Sequence, residues 1–288
     1  MIVALVLVSA FLHAAWNALL RLEPDKDKSL VPAIACAALF ACIVAGVRWA
    51  LGSTPFENLP ALLWTLLAGA FEAVYFATLA RALELGRLGT VYTVSRGGAV
   101  LVVWPLSMAL YAERANTFSI AGSLTVLAGL ALSSVGATAA ASPERSAHRR
   151  GVAWAAVCAV SIAGYHLAYK AGLRAGGNPS AIFAVSLSAS ALISIARVGS
   201  SGRTRMREVL STRWHRIVLM GLLCGGSFLI LMEALARGGS GYVLTLRNTS
   251  VLFATLLAWT IGEKPRHVEL VGSLFVAAGA VLMSIQAS

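Results

Sequence analysis

The sequence predicts an all-α integral membrane protein of ten transmembrane helices, built as two inverted five-helix repeats. Three observations lead there. Hydrophobic residues fill 58% of the 288 positions and charged residues only 12%, with a mean hydropathy of +0.80, far from the balance of a soluble domain. The apolar residues gather in runs of about 20, the length a helix rising about 1.5 Å per residue needs to cross about 30 Å of hydrocarbon. And the stretch Leu85 to Ser134 returns, without a gap, as Leu235 to Ser284.

That return superimposes Arg87 on Arg237, Gly89 on Gly239, Tyr92 on Tyr242, Leu106 on Leu256 and Glu113 on Glu263. It continues through Gly122 and Gly272, Gly129 and Gly279, and Ser134 and Ser284. Alanine, leucine and valine match by chance in an apolar chain, so the Tyr, Arg, Glu and Gly coincidences carry the inference of an internal duplication. A period of half the chain is far longer than that of a solenoid.

The expected spans are 2–20, 30–50, 60–83, 90–111, 116–138, 152–172, 179–198, 215–236, 241–261 and 267–286. Each boundary has a local cause. Glu23-Pro24-Asp25-Lys26, Gly52-Ser53-Thr54-Pro55, Ser142-Pro143-Glu144-Arg145, Gly176-Gly177-Asn178-Pro179 and Arg203-Thr204-Arg205 break or solvate a helix. The repeats then fall at 1–138 and 152–288, joined by a basic cytoplasmic linker at 139–151. The start Met1-Ile2-Val3-Ala4 lacks a basic n-region, which predicts a retained helix and not a cleaved signal peptide. The four cysteines, Cys36, Cys42, Cys158 and Cys224, lie within spans without metal or disulfide spacing, and read as core filler.

Charge predicts orientation. Numbering connections from the amino terminus, the odd ones carry 15 Lys and Arg and the even ones with the tails carry 5. Basic connections stay cytoplasmic, so both termini are expected outside a cell (inner) membrane. The net charge of +11 then belongs to a face lying on anionic lipid. No soluble basic module exists for nucleic acid. Because each repeat holds an odd number of spans, the second copy enters the bilayer inverted. This is the architecture of secondary transporters, whose site lies between halves that rock against each other.

The residues His13-Ala14-Ala15-Trp16-Asn17, Gly89-Thr90-Val91-Tyr92-Thr93-Val94-Ser95-Arg96-Gly97, Ala112-Glu113-Arg114, Gly262-Glu263-Lys264 and Leu246-Arg247-Asn248-Thr249-Ser250-Val251-Leu252-Phe253 are similar to those of a known family. Over essentially its whole length the chain resembles the drug/metabolite transporter superfamily, in the branch with two EamA-like domains. The resemblance implies ten helices and export or uptake of small metabolites, amino acids being the best represented. Relatives carry a proline after the tyrosine of the fourth span, where this chain has Thr93, and many keep their termini in the cytoplasm, against the charge count here.

Polar residues within spans are the candidates for chemistry. His13, Trp16 and Asn17 share one helical face, and His166, Tyr169 and Lys170 repeat that spacing in the second half. Interhelical hydrogen bonding is the plainer explanation of each alone; the recurrence favours a shared cavity wall. Glu72 sits mid-span between Phe71 and Ala73 with no basic residue within a turn, and ionisable groups at such depth face a cavity or a partner. It is a candidate proton carrier, and Tyr75 shares its face. With Tyr92, Arg96, Tyr242 and Arg247 from the repeated stretch, these complete the expected substrate-binding set. Glu84 with Arg96 and Glu233 with Arg247 are expected to pair across their hairpins as alternating gate latches.

No phosphate loop, metal cluster or nucleophile elbow occurs in the sequence, so no cofactor, metal site or enzymatic activity is expected. The expected function is secondary transport of a small zwitterionic or anionic metabolite, such as an amino acid, by a monomer or homodimer in the lipid bilayer. A broad exporter of drugs or cations is the alternative, and an integral-membrane enzyme using His13 and His166 a more distant one.

Overall fold

In the computed structural model the chain is described over residues 1–86, 88–114, 116–135, 142–260, 262 and 267–284. The described residues form ten helices: α1 Ile2–Arg21, α2 Lys26–Ala50, α3 Leu59–Leu85, α4 Leu88–Tyr111, α5 Thr117–Val135, α6 Ser142–Arg174, α7 Pro179–Arg237, α8 Ser240–Arg247, α9 Ser250–Thr260 and α10 His267–Ser284. The punctuation acts as caps. The Asp25 side chain accepts from the Lys28 N–H at 3.0 Å and Asn58 from the Ala61 N–H at 3.0 Å, while Asn178 accepts from the Ser180 N–H at 3.1 Å with Pro179 opening the helix behind it.

Polarity is distributed opposite to that of a soluble protein. Leu39, Ile43, Leu101, Leu192 and Leu274 are exposed, whereas His13, Asn17, Glu72, Arg96, His166 and Arg247 are buried. A bilayer is the solvent that makes such a surface stable. Among the described residues seven helical segments are long and apolar enough to cross a membrane, and two shorter apolar helices cover Thr117–Leu132 and Leu270–Gly279. The chain is an all-helical, multi-pass membrane protein.

Three segments differ from the spans expected of the sequence. α7 runs through two of them and is interrupted at Gly199, with φ 70°, and at Arg213. The span expected at 241–261 is broken into α8 and α9, because the Asn248 and Thr249 N–H groups bond three residues back, to Thr245 and Leu246 at 3.0 and 3.2 Å. The Thr249 hydroxyl also takes the Leu246 carbonyl at 3.0 Å. The break leaves Arg247 at the carboxyl end of α8, where the helix dipole favours a cation. Of the expected linker, residues 142–151 are the opening turns of α6.

Alternate connections gather at opposite ends of the bundle. At one end Glu23, from the α1–α2 turn, meets Arg213 and Arg216 at 3.3 Å each, and Asp27 pairs with Arg197. At the other, Phe56 bridges to Gly177, the Asn178 N–H bonds the Pro55 carbonyl at 2.9 Å, and Arg48 pairs with Glu233.

Glycine lets helices from the two halves touch. A Cβ on Gly129 of α5 would stand 2.5 Å from the Gly272 carbonyl oxygen of α10, and one on Gly279 of α10 would stand 2.5 Å from that of Gly122 in α5. Each contact is the other with its partners exchanged under the 150-residue shift. Gly221 lies against Ala33 and Cys36 of α2, so the Gly221–Gly225 spacing serves packing within the chain.

The register is not uniform, however. Gly86 and Gly238 cap α3 and α7 with near-identical dihedrals, their N–H groups returning to Ala82 and Ala234, and α4 and α8 begin at Leu88 and Ser240. These equivalents stand 152 apart, so the gap-free register of 150 does not hold at this hairpin. The two residues are absorbed downstream, where α4 spans 24 residues without a break and α8 and α9 cover fewer. Cys158 and Cys224 are core residues, whereas Cys36 is partly exposed and Cys42 exposed, so the filler reading holds for two of the four.

Candidate functional site

The site is built around His13, fully buried on α1. Arg247, from the end of α8, reaches the His13 Nδ1 with its Nη2 at 2.8 Å. Arg96 of α4 meets the opposite ring nitrogen, Nε2. The Trp16 indole N–H also points at Nδ1, at 3.3 Å, and the Tyr75 hydroxyl of α3 lies 3.4 Å from Nε2. Asn17 donates to the Tyr92 hydroxyl at 3.0 Å, and that hydroxyl donates to the His13 carbonyl at 3.1 Å. One face of α1 thus orders a ring of side chains from α1, α3, α4 and α8.

A neutral imidazole has one accepting nitrogen, and a guanidinium only donates. Whichever tautomer His13 adopts, one arginine faces an N–H. Among the described residues neither Arg96 nor Arg247 forms an ion pair, and Arg96 Nη1, Arg247 Nε and Arg247 Nη1 are buried without a hydrogen-bond partner. Two positive charges therefore converge where the described residues place no carboxylate in contact with them. Their flat faces are covered instead by aromatics: the Arg247 guanidinium carbon is 4.5 Å from the centre of the Phe228 ring, and that of Arg96 is 5.5 Å from that of Tyr92.

A second group adjoins the first. Tyr75 contacts Tyr165 of α6 edge-on at 5.5 Å between ring centres, Tyr165 contacts Tyr169 at 5.4 Å, and the Tyr169 hydroxyl donates to Glu72 Oε1. The Ser186 hydroxyl of α7 donates to that of Tyr169 at 3.4 Å. His166 stacks on Tyr165 at 5.0 Å with both ring nitrogens unpartnered, as are Glu72 Oε2 and the Asn248 amide. Phe228 joins the two groups, 5.5 Å from His13 and 5.9 Å from Tyr165.

Of the residues expected at the site, His13, Trp16, Asn17, Tyr75, Tyr92, Arg96 and Arg247 meet directly, while Tyr169 with Glu72, and His166, belong to the adjoining group. Tyr242 is partly exposed on α8 with an unpartnered hydroxyl and makes no hydrogen bond or ring contact with His13. Lys170 is spent elsewhere: its Nζ bonds the Leu235 and Gly238 carbonyls at 3.0 and 2.8 Å, closing the end of α7.

The gate pairs are not formed as expected. Glu84 pairs with Arg81 one turn back on its own helix at 2.9 Å, and Glu233 with Arg237 at 2.7 Å and with Arg48. The reason is depth and face. Arg96 and Arg247 turn inward to His13, whereas both glutamates remain near helix ends beside cations that reach water. Tyr165, Phe228, Ser186 and Asn248 join the site without having been expected there. Adjacency to His166 was a usable signal for Tyr165; a phenylalanine in an apolar span gives none.

No curated protein sequence matches the chain. A solved structure titled only as the crystal structure of a protein aligns over 99% of this chain and 96% of its own, with a TM-score of 0.70 at 20% identity, which shows a shared fold. The EamA-like transporter family model matches residues 149–285. That segment begins within the opening turns of α6 and holds His166, Tyr169 and Arg247, and over it the chain is similar to the EamA-like transporter family.

Proposed function

We propose that the chain is a secondary transporter for a small carboxylate-bearing metabolite, anionic or zwitterionic, with an amino acid as a fitting example. The observation that carries this reading is the convergence of Arg96 and Arg247 on His13 with buried donors to spare and, among the described residues, no carboxylate paired with them. A carboxylate matches a guanidinium in charge and in its paired acceptors. A lipophilic cation meets two like charges there, which disfavours a drug or cation exporter.

Alternating access is the mechanism proposed, with repeats at 1–138 and 152–288 inverted in a cell membrane and both termini outside. The exchanged glycine contacts of α5 and α10 support a two-fold relation between the halves, and two similar halves have two similar packings, one open to each side. Arg96 comes from the first half and Arg247 from the second, so a carboxylate held by both bridges the surfaces that must move.

The test is uptake of a labelled panel of amino acids, dicarboxylates and lipophilic cations into proteoliposomes. Saturable carboxylate uptake that Arg247→Ala abolishes supports the reading. Cation uptake without carboxylate uptake, or chemical turnover without movement, overturns it.

A further inference from the structure

The transport reading uses the His13 group and leaves Glu72 without a task. Glu72 lies mid-way along α3, fully buried. Its Oε1 accepts from the Tyr169 hydroxyl, its Oε2 has no partner, and among the described residues it forms no ion pair. Tyr169 of α6 bonds it, Ser186 of α7 bonds the Tyr169 hydroxyl, and Tyr165 of α6 and Cys224 of α7 lie within electrostatic reach. None of them is a cation, so nothing beside Glu72 offsets an ionised carboxylate, and a structural carboxylate in such a place is costly.

We propose that Glu72 is a proton-binding site, distinct from the carboxylate site, that links proton movement to movement of the anion. The proposal rests on the transporter reading above. Three tyrosines connect the two sites: Tyr169 bonds Glu72, Tyr165 lies between Tyr169 and Tyr75, and the Tyr75 hydroxyl reaches His13. Tyr165 is within electrostatic reach of Glu72, Arg96 and Arg247 alike.

The linkage follows from charge. An anion bound at Arg96 and Arg247 and an ionised Glu72 are like charges within one low-dielectric core, so each disfavours the other. Anion binding with Glu72 protonated, and Glu72 ionised without the anion, leave the buried core with the same net charge. Anion and proton therefore favour each other's binding, and by reciprocity the coupling is equal in both directions. The step balances as one proton taken from water onto the Glu72 carboxylate on one side of the membrane and returned to water on the other, together with one anion. On loading, one O–H bond of hydronium breaks as the Glu72 O–H forms; on release the Glu72 O–H breaks and a water molecule takes the proton.

The test reads the proton and the cargo separately, on the full chain in lipid. Infrared difference spectra recorded across a pH titration contain a C=O stretch from a protonated carboxylic acid; the band assigned to Glu72 is expected to be absent from Glu72→Gln, present in Glu72→Asp, and stronger when succinate or L-glutamate is added. In proteoliposomes an imposed pH gradient is expected to drive accumulation of whichever of these two probes is carried, and Glu72→Gln to reduce that gradient-driven accumulation at least tenfold, with Glu72→Asp recovering part of it. Identical spectra for the native protein and Glu72→Gln, or an undiminished response to the gradient, overturn the proposal. If neither probe is carried, the transport reading fails for these carboxylates, and the infrared comparison still decides whether Glu72 binds a proton.

Discussion

The carboxylate of Glu113, in the turn after α4, accepts the backbone N–H of Ser240 at 2.6 Å and that of Gly241 at 3.1 Å, and so caps α8 from the other half of the chain. A negative group on unsatisfied N–H groups at a helix start is a strong arrangement. The fit next door is tight, since a Cβ on Gly239 would stand 3.0 Å from the Glu113 Oε2 and the carboxylate would have to give by a few tenths of an ångström. The tie joins the halves at one end of the bundle.

Releasing that tie is expected to open that end. Glu113→Gln keeps the shape and removes the charge, at a cost of about 1.5–3 kcal/mol for charge-assisted bonds. A cysteine replacing Tyr242, partly exposed two residues along α8, is then expected to react on the order of tenfold faster with an impermeant maleimide. An unchanged rate with lowered stability makes Glu113 a cap and nothing more. Its repeat equivalent Glu263 lies outside the described residues.

The exchanged glycine contacts make a paired prediction. Gly129→Ala and Gly279→Ala each push a methyl group into a carbonyl of the opposing helix and are expected to destabilise by similar amounts, about 1–3 kcal/mol each. Gly46→Ala, in α2 with nothing within 4 Å of its would-be Cβ, is expected to be neutral or stabilising, as alanine replaces glycine in a helix. Thermal unfolding in detergent measures all three. A large loss for one of the first two and none for the other breaks the two-fold relation between α5 and α10.

Orientation is tested by labelling. In a cysteine-free background, Thr54→Cys in the α2–α3 connection is expected to react with an impermeant thiol reagent on intact cells, and Thr204→Cys, between the two interruptions of α7, only after lysis. Both positions are exposed, so access depends on side alone. The reverse pattern inverts the proposed topology.

Much of this was legible because the bilayer constrains the sequence so heavily. Apolar length foretold the helices, the segments holding Asn178 and Asp25 foretold where two of them start, and buried polar residues foretold the His13 group. What stayed hidden depends on rotation and local register. The spacing of Glu84 and Arg96 suggested a pair across a hairpin, but which face each presents is set by packing of α3 and α4 against α6, which sequence spacing does not report. The α8–α9 break rests on Asn248 and Thr249, residues that a helix also accommodates. The two-residue slip between Gly86 and Gly238 was masked because Tyr92 and Tyr242 match in the simpler register.

The last prediction concerns the cost of the site itself. Arg96 and Arg247 approach one imidazole from both sides, and among the described residues neither has a carboxylate partner. An uncompensated buried charge costs several kcal/mol, and replacing such charges by apolar side chains of similar size is often stabilising by about 1–4 kcal/mol. Arg96→Met removes one guanidinium, relieves its repulsion with Arg247, and leaves the Tyr75 hydroxyl for the His13 Nε2. The variant is therefore expected to unfold at a higher temperature than the native protein in carboxylate-free buffer. Its carboxylate uptake is expected to fall roughly 10- to 150-fold, the equivalent of about 1.5–3 kcal/mol for a lost charge-assisted bond. Stability gained where function is lost is the signature of a residue kept for its ligand. If Arg96→Met loses stability as well as uptake, the two arginines are internal ties between α1, α4 and α8, and the carboxylate must be bound elsewhere.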